Sequence, residues 1–247
     1  MHGRLPKSAV VFLAGLAGVV TMARRLGRAG NVSVRSVVGS QAAVRRTGLA
    51  LWSALAIESL GQHRYRADCD TDAAAQPWYR RRWFLHAATM WGFLGLLAAT
   101  VLDYGLAVVG IKATGAPVPI WYPVRLLGTF AGILLVYGAS MLIVQRFRGT
   151  ERSVRHSTPA DWTFLALVWI TGVTGFAIEI ALYLPTAPAW GYWVFLFHVA
   201  VAMELVLLAP FMKFAHAVYR PVALFFLALA QAPAEASQSA AGRGGPQ

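Results

Sequence analysis

The chain has 247 residues, of which 57% are hydrophobic and only 13% charged. Soluble domains carry about 25% charged residues, so this composition excludes an ordinary soluble globule and points to a membrane protein. The formal net charge of +12 would suit nucleic acid, but the basic residues lie in blocks between apolar runs, as in the loops of a polytopic protein, and no nucleic-acid partner is expected.

In chain order, the first apolar run is SAVVFLAGLAGVVTM at 8–22, followed directly by Arg24, Arg25 and Arg28. A cleavable signal has its charges before the apolar region and a small-residue cleavage site after it. The run is therefore expected to persist as a helix, reaching back to Leu5 to approach the length of a span. Residues 23–82 hold eleven arginines and the segment GLALWSALAIESLGQHR. Its apolar part is about fourteen residues long and contains Glu58, too short and too polar to cross a bilayer. A helix near 48–62 lying on the inner membrane surface is the expectation.

Four longer apolar stretches follow, at about 83–106, 121–144, 161–184 and 191–216. The expected fold class is all-α, a polytopic membrane bundle of five transmembrane helices. Loop 145–160 carries four more arginines, whereas 107–120 and 185–190 contain only Lys112 between them. The positive-inside rule then places the N-terminus outside and the C-terminus in the cytoplasm, for a multi-pass protein of the inner (cytoplasmic) membrane. Trp121, Tyr122, Trp190, Tyr192 and Trp193 gather at the outer ends, where amphipathic rings favour the interface. Residues 1–230 read as one membrane domain, and 231–247 as a disordered tail with too few apolar residues to offset chain entropy. The single cysteine, Cys69, leaves no internal disulfide, and any iron–sulfur cluster would have to come from another subunit.

Of the six histidines, His2, His63 and His156 fall at the outer terminus or in basic loops and read as solvated. His86, His198 and His216 fall inside or at the edge of spans, where an ionisable group is costly and defaults to a functional hypothesis. His198 and His216 are eighteen residues apart, five whole helical turns, so they share a face about 27 Å apart. That is close to the thickness of the hydrocarbon core, roughly 30 Å. His86 on the second helix and His216 on the fifth lie at comparable depth near the cytoplasmic side. Two imidazoles so placed suit bis-histidine ligation of a haem b iron. Arg80, Arg81 and Arg82 stand where the propionates would emerge, although a topology signal explains the same arginines. A second haem at His198 needs another ligand at its height, and the position ten past His86 is Leu96; one haem is supported and two are possible. Glu179 lies near the outer end of the fourth helix at about the height of His198. Together the two could exchange protons with a quinone, or Glu179 could simply pair locally.

The five-helix plan and the histidine spacing resemble the gamma-subunit family of respiratory nitrate reductase. Local wording is similar to the membrane cytochrome b domain of heterodisulfide-reductase-like proteins, in LGQHR at 60–64, HAATMWGFLGLLAAT at 86–100, TGFAIE at 174–179 and PFMKFAHAVYRP at 210–221. The resemblance implies ligand roles for His86, His198 and His216, with no bond-making catalytic residue. It further implies a haem b anchor passing electrons between the quinone pool and a cytoplasmic iron–sulfur subunit, as the electron-transfer part of a quinone-linked oxidoreductase complex. Leu96 departs from the nitrate reductase pattern, which has a second histidine there. The rival reading is a small proton-coupled transporter or channel without haem, its intramembrane His and Glu lining a path.

Overall fold

The computed structural model describes residues 7–29, 40–63, 65–66, 76–113, 118–148, 158–184, 186, 188–208 and 219–229, with side chains from Leu16 onward. Every regular element among them is helical. The chain divides into two compact units: Cys69–Leu208, and Met1–Asp68 together with Ala209–Gln247.

The first of these units holds α3 (Arg82–Val108), α4 (Pro123–Arg148), α5 (Pro159–Tyr183) and α6 (Ala189–Leu208). All four are long and apolar enough to cross a membrane. Each packs chiefly on its neighbour in the chain, most extensively α3 on α4. Lipid tails are as apolar as leucine, so helices in a bilayer gain little from hiding apolar surface; close packing and interhelical hydrogen bonds must hold them. At the α3–α4 seam the close packing comes from missing side chains. A Cβ on Gly92 would lie 2.5 Å from the Leu135 nitrogen, and one on Gly138 would lie 2.9 Å from the Leu85 carbonyl oxygen. Ala88, Ala99, Ala131 and Ala139 are buried beside them. Leu135 and Ala139 continue into a core with Leu165, Val168, Val201 and Leu205, which draws in α5 and α6.

The basic end of this unit is stitched by polar contacts. Thr158 and Asp161 form a reciprocal capping box at the start of α5, with Pro159 as its first residue, which satisfies the otherwise orphaned amides there. Arg146 Nη1 donates to the Asp161 carbonyl at 3.2 Å, and its guanidinium lies 5.7 Å from the Trp162 ring centre. Before α3, a 3₁₀ turn at Trp78–Arg80 is fastened to α4: Tyr137 donates to the Tyr79 carbonyl and Gln145 to that of Arg80, both at 2.9 Å.

The other unit holds α1 (Lys7–Ala29), α2 (Gln41–Trp52), a π-helical continuation over Ser53–Leu60 and α7 (Tyr219–Leu229). The Ser40 side chain caps α2 by accepting from the Ala43 amide. In the π stretch Ser59 Oγ donates to the carbonyl five residues back, at 2.6 Å from Ala54 oxygen. Gly61 ends it with another five-residue bond, to Ala56. A Cβ on Gly61 would lie 2.7 Å from the Ile57 carbonyl oxygen, so this tight exit requires glycine. Gln62 follows with φ of 53°, the left-handed conformation that turns the chain away.

The four apolar stretches after residue 82 thus became helices whose described ends lie within a few residues of expectation. The last was expected to run to 216; α6 is described to Leu208, and residues 209–218 lie outside the described set. The first apolar run lies within α1. The helix expected near 48–62 begins earlier, at Gln41, and changes from α to π inside the predicted span. Helix α7 was not anticipated as a separate element.

Candidate functional site

Away from the basic end, ionisable groups of α3–α6 meet partners in three places. The first is His198, half-buried on α6. Its Nδ1 lies 2.9 Å from Thr174 Oγ1 on α5. The threonine hydroxyl also lies 2.7 Å from the Ile170 carbonyl, and its one proton goes there or to the imidazole according to which ring nitrogen carries the hydrogen. The ring also lies beside Gly175 of α5, where an added Cβ would meet His198 Cε1 at an ordinary contact distance of 3.5 Å.

The second place joins the Pro123 end of α4 to the Tyr183 end of α5. Glu179 Oε1 accepts from Arg125 Nε at 3.1 Å and from Thr129 Oγ1 at 3.0 Å. The Arg125 guanidinium lies 5.3 Å from the centre of the Tyr183 ring, and Tyr183 donates its hydroxyl to the Val118 carbonyl. Arg125 Nη2 is buried with no hydrogen-bond acceptor among the described residues. Arg125 is the residue that sequence reasoning passed over. The signal was present: a lone arginine in a predicted span needs a partner of opposite charge, and Glu179 is the acid at matching depth on another helix. The expectation that Glu179 works beside His198 is met by different partners for each. The carboxylate is engaged by α4 and the imidazole by Thr174.

The third is Asp103 on α3, paired with Lys112 at 2.6 Å. Glu204 stands exposed on α6.

His86 is exposed on α3, next to fully buried Leu85. Arg80 and Arg81 belong to the turn before α3 and Arg82 opens the helix, so the four share one end of the unit. Arg81 Nε donates to the Gln76 carbonyl at 3.1 Å, and Arg80 lies over Tyr79. His216, the intended second ligand, and His156 lie outside the described residues, while His63 is exposed. Among the described residues no group of three or more His, Cys, Asp or Glu could hold a metal ion.

The family model described as Citrate utilization protein B matches residues 4–238 of this chain. Citrate utilization protein B of Escherichia coli is 33% identical over 146 residues, which is 59% of this chain and 36% of that relative. The matched segment therefore spans little more than a third of the relative's length. No solved structure matches.

These matches overturn the resemblance to nitrate reductase gamma subunits and to heterodisulfide-reductase-like cytochrome b domains. The function built on it is corrected with it: a haem b, cytochrome b-type anchor carrying electrons between quinone and an iron–sulfur partner. The physical reason is visible in the motifs. HAATMWGFLGLLAAT holds Ala88, Gly92 and Ala99, buried small residues of the α3–α4 seam, and LGQ closes the π stretch. Both are solutions to helix packing and helix termination, open to many membrane proteins of different function.

Proposed function

Since the chain belongs to the citrate utilization protein B family, we propose that it is a membrane-embedded component of a citrate-utilization system. The observation that carries this reading is the family match from residue 4 to 238, which takes in every described helix. Four helices of membrane length give the component its place.

In this reading α1 is a fifth span and the protein is a multi-pass protein of the cytoplasmic membrane, N-terminus outside and C-terminus inside, as its arginine-rich loops favour. The α2–π helix lies on the inner surface, where its exposed Leu49, Trp52, Leu55 and Ile57 meet the acyl boundary. Most of the relative's length lies outside the matched segment. In the same reading the long basic loop offers a docking surface to a partner on the cytoplasmic side.

The test is growth. A strain lacking the gene should fail on citrate as sole carbon source, grow normally on glucose and recover with the full chain supplied in trans. Uptake of labelled citrate, measured apart from growth, then tells whether the step served is entry or a later one. Undiminished growth on citrate would end the proposal.

A further inference from the structure

The unit containing α1 and α7 holds an open groove of about 660 Å³ that none of the foregoing uses. Its wall on α1 is Ala17, Gly18, Thr21 and Met22, with Arg25 at one end and Tyr219 of α7 alongside. Positions three and four apart share one helical face, so these α1 residues form a continuous strip. Thr21 donates its hydroxyl to its own helix, to the Ala17 carbonyl at 2.7 Å, and so adds a methyl to the wall rather than a polar group. The groove is thus apolar along its length and polar at Arg25 and the Tyr219 hydroxyl. A Cβ on Gly18 would lie 3.0 Å from that hydroxyl, so the absence of a side chain there sets where the phenol sits.

Arg25 is exposed, and no carboxylate is paired with it among the described residues. Arg24 and Arg28 add positive charge on the same turns. From Ala17 to Arg25 the helix climbs about 12 Å, roughly the depth from headgroup phosphate to the upper acyl chain. We propose that this groove binds one anionic phospholipid, its phosphate held by Arg25 and the Tyr219 hydroxyl and an acyl chain laid along Ala17, Gly18, Thr21 and Met22. A basic end on an apolar slot matches that ligand in both charge and shape. The proposal rests on α1 being a membrane helix with its basic end inside, which reporter fusions at Gly30 establish separately from lipid binding.

The experiment uses the full chain in detergent, with lipid retention read by native mass spectrometry. Phosphatidylglycerol is compared with phosphatidylcholine of the same acyl chains. Wild type should retain the anionic lipid about fivefold better, the equivalent of the roughly 1 kcal/mol that one basic residue contributes near an anionic surface. Arg25→Gln should abolish the preference, Arg25→Lys should keep most of it, and Tyr219→Phe and Gly18→Ala should each weaken retention without changing net charge. Equal retention of the two lipids would overturn the proposal. So would an unchanged preference in Arg25→Gln with its helix content intact. Displacement by tail-less glycerol phosphate as effective as by phosphatidylglycerol would assign the site to a soluble phosphate instead.

Discussion

Two seams of the same helical array are built on opposite terms. Between α3 and α4 the backbones touch: Gly92, Gly95 and Gly138 each face an atom that leaves no room for a methyl. Around α5 the contacts are made by side chains reaching across, Arg125 and Thr129 to Glu179, Trp169 to Ser140, and His198 to Thr174. The first seam is vulnerable to added volume and indifferent to charge. The second is also close at Gly172, where a Cβ would lie 2.7 Å from Val136 Cγ2, but it depends besides on each polar group keeping its partner, since hydrocarbon offers no substitute.

The largest effect should come from adding volume to the first seam. Gly92→Leu or Gly138→Val is expected to cost about 3 kcal/mol or more, because the atoms opposite are backbone and cannot turn aside. Unfolding in mixed micelles, followed by helix content, would show it; a loss under about 1 kcal/mol would mean the seam can open. Next comes Glu179→Ala, which strands a guanidinium. A fully buried pair loses about 3–5 kcal/mol when one partner goes. Here the arginine and glutamate side chains are 23% and 20% exposed, so about 2 kcal/mol is expected. Arg125→Met combined with Glu179→Leu should recover most of that loss, and a double variant as unstable as Glu179→Ala would show that the charge is not the cause. His198→Phe and Thr174→Val should each cost about 0.6 kcal/mol, the usual worth of an interhelical hydrogen bond in a bilayer. Because they remove one bond, the double variant should cost little more than either. Smallest is Asp103→Asn, expected at about 0.3 kcal/mol because the aspartate is 44% exposed.

Much of this architecture is readable from the chain, for a physical reason. Four runs long enough to cross hydrocarbon and free of breakers can do little else than form membrane helices, and α3 to α6 start or end where Arg82, Pro123, Pro159 and the arginines after 145 suggest. Depth is equally readable, since each residue adds 1.5 Å. Azimuth is not. His198 and Glu179 lie on different helices near similar heights, but which faces meet depends on how α4, α5 and α6 are rotated, and hydropathy averaged around a wholly apolar helix carries no such phase. Hence Glu179 was matched by height with an imidazole, while its hydrogen bonds go to Arg125 and Thr129. The π stretch was illegible for another reason. SALAIESL favours helix, and only contacts along the chain decide whether a bond skips three residues or four.

That stretch has a consequence for how this chain can vary. A helix bonded five residues back stores one residue more per turn than an α-helix needs. Deleting a single residue between Ser53 and Leu60 would let the ordinary pattern close without breaking the rod. In a plain α-helix the same deletion would turn everything upstream by about 100° and draw it in by about 1.5 Å. Here the wide turn takes up most of that change, so Gln41 to Trp52, and the strip carrying Leu49 and Trp52, would keep nearly the same bearing. In this segment a one-residue loss is absorbed, where in α3 or α4 it would throw glycines out of their seats.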